Sequence, residues 1–216
     1  MAESISAKQF HDEEGTDGWH VLYGGAQTVF PTDSFATGVE FIRRIARGTA
    51  VVGREPDIDL RPEAVVVRTA STPGGRLDTL DVELVQRVSA IAAELGLAAD
   101  PSQLHTIQIA IAEADGTSTR DFWVAALGYV SLGGFVVDPL RRGPRMWFDE
   151  ISTPGRGRTH IDVAVPSDRA EERVTAVIRA GGRLADDSHA PQWWTFASPD
   201  NHGVDIAAWG DIDDGT

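Results

Sequence analysis

Between Leu104 and Trp209 one pattern of apolar periodicity is written twice. An extended run, Leu104 to Ala112, leads into a helical segment from about Ser118 to Leu127, with strands after it around Gly134 to Val137 and Arg145 to Ile151. After Gly155-Arg156-Gly157 a second run, Thr159 to Val165, leads into a helix capped by Ser167, with Ala170, Val174, Val177 and Ile178 turned inward. Strands around Trp193 to Phe196 and Val204 to Trp209 complete it. The switch from period 2 to period 3.6 and back falls in the same order both times. The unit is β-α-β-β with room for one more strand. Its duplication predicts two equivalent half-sheets with a cleft between them.

Three of the runs carry a side chain able to bind a metal or move a proton: His105, His160 and Asp205. Borne on separate strands, they converge only if the sheet curves around them. Two neutral imidazoles and a carboxylate leave open coordination positions, as in catalytic zinc or facial-triad iron sites. Trp147, Trp193, Trp194 and Phe196 lie on strands near such a cleft and suit a flat ligand. His189, in a loop with Pro191, can exchange a proton near neutral pH.

The first half follows a different order. Trp19 to Tyr23 reads as a strand stopped by Gly24-Gly25. Phe35, Val39, Ile42 and Ile45 form the stripe of a helix that starts at Thr32 to Ser34 and ends at Gly48. Ala64 to Thr69 is β-branched and strand-like, and Pro73-Gly74-Gly75 breaks it. A second helix carries Leu80, Leu84, Val88, Ile91 and Leu95 on one face, with Asp78 and Asp81 spaced as a capping box and Gly96 as its C-cap. Met1 to Gly18 reads as polar and loose at its start, and Ala98 to Gln103 as a linker. The expected domains are therefore residues 1–100 and 101–216.

An apolar fraction of 42% with six Trp suits a folded protein. The net charge of −14, from 33 acidic and 19 basic residues, opposes phosphate backbones and anionic lipid surfaces, so nucleic acid and membranes are not expected partners. There is no Cys, hence no disulfide or thiolate chemistry. No apolar run reaches the roughly 18–20 residues of a membrane span. No basic flank precedes an apolar segment near Met1, and the expected location is the cytoplasm.

The second half resembles the glyoxalase-like branch of the vicinal-oxygen-chelate superfamily. The resemblance is carried by Asp121-Phe122-Trp123 through Ala126-Leu127-Gly128-Tyr129, by Arg158-Thr159-His160-Ile161-Asp162-Val163, and by His189-Ala190-Pro191-Gln192-Trp193-Trp194-Thr195 through Val204 to Trp209. It covers about residues 103–210 and implies a two-module βαβββ domain. Members include metal-dependent lyases, isomerases and dioxygenases, and metal-free proteins that sequester antibiotics. Ligands in the catalytic members come from the first strand of each half and from the last strand, which maps by position onto His105, His160 and Asp205. One divalent ion (Zn, Fe, Ni or Mn) is the cofactor so implied. Before the last strand this chain reads Ser198-Pro199-Asp200-Asn201-His202-Gly203 where relatives usually write an Asp, then Glu-Gly-Asn and an acidic residue.

Residues from about Gly15 to Gly96 resemble the pterin-4a-carbinolamine dehydratases. The carrying segments are Gly18 to Leu22, Ser34-Phe35-Ala36 through Val39, Pro56 to Arg61, and Gly74 to Leu77 through Asp81. The resemblance implies a small α/β sandwich that assembles into dimers or higher homo-oligomers. That family dehydrates its substrate with a His-His pair before the proline and a third His after the main strand. Here the pair is Arg54-Glu55 and the third position is Thr72, so ordinary dehydratase chemistry is not expected, since Arg stays protonated and Thr does not titrate usefully. The domain is then either structural, or repurposed with Arg54 and Glu55 as its active pair.

The combined expectation is an α+β protein acting on a small molecule, by lyase or isomerase-type chemistry, in the cleft of its second domain. A non-catalytic, antibiotic-type binding protein using the same cleft is the alternative.

Overall fold

The structure, a computed structural model, describes residues 2–71, 75–114, 120–151, 159–197 and 203–209. The chain divides into two compact units, the first running through Leu104 and the second spanning His105–Trp209.

The first unit contains β1 (Ser4–Ile5), α1 (Ala7–Asp12), β2 (His20–Leu22), β3 (Gly25–Pro31), α2 (Phe35–Gly48), β4 (Asp57–Leu60), β5 (Ala64–Thr69), β6 (Leu77–Asp78) and α3 (Thr79–Glu94). Four strands form an antiparallel sheet in the order β2-β3-β5-β4, and β1 pairs with β6. Helices α2 and α3 pack together and both contact β5. Alternation along β5 buries Val65 and Val67 beneath them, among Phe41 and Ile45 of α2 and Leu84, Val85 and Val88 of α3, all sealed from solvent. Phe30, paired with Val65, meets Phe41 edge to face at 5.0 Å.

The N-terminal segment and the expected linker are both ordered. Ser6 and Gln9 form a reciprocal capping box on α1, and Phe10 is fully buried, so one aromatic anchors the N-terminal turn. The stretch read as a linker, Ala98 to Gln103, docks on β3: the Asp100 N–H donates to the Val29 carbonyl, and Pro101–Gln103 forms a single 3-10 turn. Asp78 caps α3, and Asp81 completes the box as its spacing predicts. No helix among the described residues is long and apolar enough to cross a membrane.

The second unit contains β7 (Thr106–Ala114), α4 (Arg120–Leu127), β8 (Val130–Leu132), β9 (Phe135–Val137), β10 (Arg145–Ile151), β11 (Thr159–Pro166), α5 (Ala170–Arg179), β12 (Arg183–Asp186), β13 (Trp193–Ala197) and β14 (Gly203–Trp209). This is β-α-β-β-β used twice, so the extra strand is real in both halves; β12 is exposed along its whole length, and β8 is three residues long, which weakens the periodic signal of each. One eight-stranded sheet results, in the order β12-β13-β14-β11-β7-β10-β9-β8. The halves match strand for strand. β7 pairs parallel with β10 as β11 does with β14, and β7 joins β11 antiparallel at the centre. Ser167 does not cap α5; a 3-10 turn, Ser167–Arg169, precedes the helix, and no side chain bonds its N-terminus.

The two faces of this sheet differ in chemistry. On one, Ile111, Val136 and Met146 pack with Ile109, Phe148 and the α4 residues Trp123 and Val124. On the same face Val165, Phe196 and Ile206 pack with Ala170, Val174 and Val177 from the second helical segment. Those helices cover the apolar face. The opposite face carries the polar residues.

Candidate functional site

Strand register assembles the site. Directly paired residues share a face, and the pairings run Arg145–Gln108, Gln108–Asp162, Asp162–Asp205, Asp205–Thr195 and Thr195–Asp186. One polar row therefore crosses six strands. The neighbouring row holds Trp147, Ala110, His160 and Gly203. Small residues at 110 and 203 leave His160 standing between neighbours without bulk, and a Cβ at Gly203 would come within 3.1 Å of the His160 Cβ.

At the centre three donors gather. Suitable atoms of His160, Asp162 and Asp205 all lie within 4.8 Å of one another. His160 Nε2 is 2.9 Å from Asp162 Oδ1 and 3.6 Å from Asp205 Oδ2. Asp162 Oδ2 accepts hydrogen bonds from Gln108 Nε2 and Trp147 Nε1, each at 3.0 Å. Gln108 Oε1 accepts from Arg145 Nε, whose guanidinium lies 4.3 Å over the Phe135 ring. Thr195 hydrogen-bonds Asp205. The Trp147 ring meets His160 edge-on, at 6.2 Å and 90°.

Burial and charge perturb these groups in opposite senses. The Asp162 carboxylate at 2.9 Å holds the His160 imidazole above its ordinary pKa, against desolvation, and Asp205 adds to the effect. Burial pushes the Asp205 carboxyl above the usual carboxylate range, and its bond from Thr195 opposes that. Asp162 is 6% exposed. Its Oδ1 and the Oδ1 of Asp205 are both buried without a hydrogen-bond partner, the His160 N–H being out of line at 2.9 Å. A buried carboxylate oxygen left unmatched beside an imidazole is the donor chemistry a divalent cation satisfies, so the three residues fit a metal ion.

The structure brings His160 and Asp205 together. It places His105 outside the group: that residue is exposed and precedes β7, three positions from Gln108, and an odd offset does not share a face along an extended run. β7 meets the cluster through Gln108. Asp162 completes it, and its signal was legible, since a His and an Asp two apart in a strand project together. Gln108 had none. Trp147 joins the site through its indole N–H. Trp193 lies on the polar face, paired with Ala207, and His189 stacks on it at 4.0 Å and 15°. Trp194, one residue on, packs against the core of Val165, Phe196 and Ile206 on the helix-covered face, where it is not available to a ligand of the polar row. The turn residues 198–202 lie outside the described residues.

In the first unit Arg54 is held by its own fold. Its Nη2 is 2.6 Å from Asp78 Oδ2, its Nη1 donates to the Ala70 carbonyl at 3.1 Å, and its Nε is 3.7 Å from the sealed Asp81. Glu55 is exposed beside a shallow depression lined by Thr49, Ala50, Gly53 and Arg54. Thr72 lies outside the described residues.

Comparison with known proteins falls on the second unit. Residues 108–207 match the glyoxalase-like domain. The matched span includes every residue of the polar row, from Gln108 to Asp205. No curated protein matches the chain. Among solved structures, an NAD-dependent benzaldehyde dehydrogenase from Legionella pneumophila is 14% identical, with 47% of this chain and 96% of that one covered and a TM-score of 0.34. A glyoxalase/bleomycin resistance protein/dioxygenase superfamily member from Vibrio splendidus 12B01 is 15% identical, covering 48% and 97%, with a TM-score of 0.31. A variant of the fosfomycin resistance protein FosX from Listeria monocytogenes, complexed with Mn(II) and 1S,2S-dihydroxypropylphosphonic acid, is 19% identical, covering 46% and 85%, with a TM-score of 0.23.

Proposed function

We propose that the protein is a small-molecule enzyme of lyase or isomerase type, working on the polar face of its glyoxalase-like domain with a divalent ion held by His160, Asp162 and Asp205. The observation that carries this reading is the gathering of one imidazole and two carboxylates within 4.8 Å, with the unpartnered Oδ1 of Asp162 facing the ring at 2.9 Å and a second buried, unpartnered oxygen on Asp205. Bound there, such an ion would polarise a substrate carbonyl or stabilise an enolate oxygen. The chain's own residues supply the rest. Trp147 and Trp193 border the row and give a flat apolar contact, and the exposed His189 on Trp193 is placed to exchange a proton at the rim.

A second reading has its own support. His160 lies close enough to both carboxylates to offset one of their two charges as an imidazolium, and the aromatic border suits ligand capture without an ion. That is the arrangement of a metal-free binding protein.

For the first unit we propose a structural role within a dehydratase-like module, possessing no working proton donor at Arg54. The commitment of Arg54 to Asp78 and the Ala70 carbonyl supports it. Assembly into homo-oligomers is part of the same proposal, tested by sedimentation.

Calorimetric titration of the purified protein with Mn(II), Fe(II), Ni(II) and Zn(II) tests the enzyme reading. Stoichiometric binding, lost in Asp205→Asn and in His160→Ala, is the expected result. Absence of binding by all four ions, with tight binding of an aromatic ligand, selects the binding protein instead.

A further inference from the structure

Resting on the metal reading above, we infer that Gln108 and Trp147 are positioning residues that make Asp162 a one-oxygen ligand, so that the first strand serves the ion through hydrogen bonds and not by ligation. The two oxygens of Asp162 have different surroundings. Oδ2 takes two N–H bonds at 3.0 Å, from an amide on β7 and an indole on β10. A carboxylate pinned at one oxygen from two strands cannot rotate about its axis without breaking both. Oδ1 is thereby left facing His160, buried and unpartnered.

The identity of the donors matters as much as their position. An amide and an indole are neutral, so they orient the carboxylate without cancelling the charge a cation needs. A guanidinium in direct contact would compete with the ion. Arg145 is the guanidinium of this row, and it is one step removed: its Nε bonds Gln108 Oε1. An Nε–H can only donate, which assigns the facing amide atom as oxygen and turns the NH2 of Gln108 toward Asp162. Phe135, beneath the guanidinium at 4.3 Å, holds Arg145 in place. Orientation thus passes from Phe135 to Arg145 to Gln108 to Asp162, across neighbouring strands of the first module into the second. Partners of this kind, one bond outside the ligands, commonly set metal affinity by 10–100-fold.

The test is Mn(II) binding to the full chain, read by the loss of the free-ion electron paramagnetic resonance signal, in the natural sequence and in Gln108→Leu and Trp147→Phe. Each substitution removes one donor and keeps most of the volume. The expected result is a weakening of about 10–100-fold in each variant, with cooperative thermal unfolding retained. Arg145→Met, which leaves Asp162 untouched, is expected to weaken binding less than Gln108→Leu, and it serves if either of the first variants fails to fold. Mn(II) binding in the natural sequence with unaltered affinity in the variants overturns the inference and leaves the metal site standing. Failure of the natural sequence to bind Mn(II) and the other three ions overturns the metal reading itself, and the inference with it.

Discussion

His160 Nε2 and Asp162 Oδ1 stand 2.9 Å apart, two residues along the same strand. Strand geometry alone puts the two side chains on one face, and the parallel neighbour β14 brings Asp205 opposite Asp162. The lone pair on Nε2 can hold a proton between two carboxylates or it can ligate a cation. It cannot do both, so protons and metal compete for this site.

That competition has a pH signature. His160 has its pKa raised by Asp162 first and by Asp205 further. A basic group whose folded pKa is raised stabilises the fold fully below its unfolded value, near 6.5 for an imidazole, and loses that contribution as pH climbs through the folded value. The metal-free protein should therefore lose stability across that interval, while Mn(II) affinity rises over it. Following the His160 ring proton by NMR against pH checks this. Asp162→Asn should bring the midpoint back toward the ordinary imidazole value; an unmoved midpoint refutes the assigned cause.

Adjacent tryptophans should behave differently. Trp194→Ala opens the core formed by Val165, Phe196 and Ile206, at a cost of about 3 kcal/mol in denaturant unfolding. Trp193→Ala removes a ring from the polar face and should cost less than about 1 kcal/mol, while reducing the affinity of any aromatic ligand. Equal losses of stability would show that the two rings share a face.

In the first unit Asp81 is sealed from solvent, and burial drives its pKa up while the hydroxyl of Thr69, donating at 2.6 Å, draws it down. Thr69→Val strips that donor without changing the shape. The expected cost is about 1–3 kcal/mol in chemical denaturation at neutral pH. Because the variant raises the Asp81 pKa further, the deficit should shrink as pH falls and the carboxyl is neutralised.

Gly25 adopts φ +117°, and a Cβ there would lie 2.1 Å from the Thr69 carbonyl oxygen. Gly53, at φ +74°, has nothing within 4 Å. Gly53→Ala should cost only the left-handed penalty of about 1–2 kcal/mol, and Gly25→Ala substantially more, since the β3–β5 pairing must shift. Comparing the two unfolding midpoints isolates the backbone contact from the conformational term.

The duplication in the second half was legible because each module alternates apolar and polar residues over long central strands, as in Thr159 to Val165. The edge strands β8 and β12 escaped because they are short or exposed and carry little periodic signal. The N-terminal turn escaped for a related reason: a single buried Phe10 is not a period. Trp193 and Trp194 are neighbours in sequence, and period 2 separates their faces.

By itself the sequence determined the main helices and the central strands between them, the caps at Asp78 and Asp81, and the placing of His160 with Asp162 on one side of a strand, because each depends only on residues a few positions apart. Only the tertiary structure decided that Gln108 and not His105 meets them, that Asp205 lies alongside, and that Trp147 reaches across to donate. Those are matters of register between strands whose contacting residues lie 15 to 54 positions apart in sequence, and a slip of one residue would turn every one of them to the opposite face.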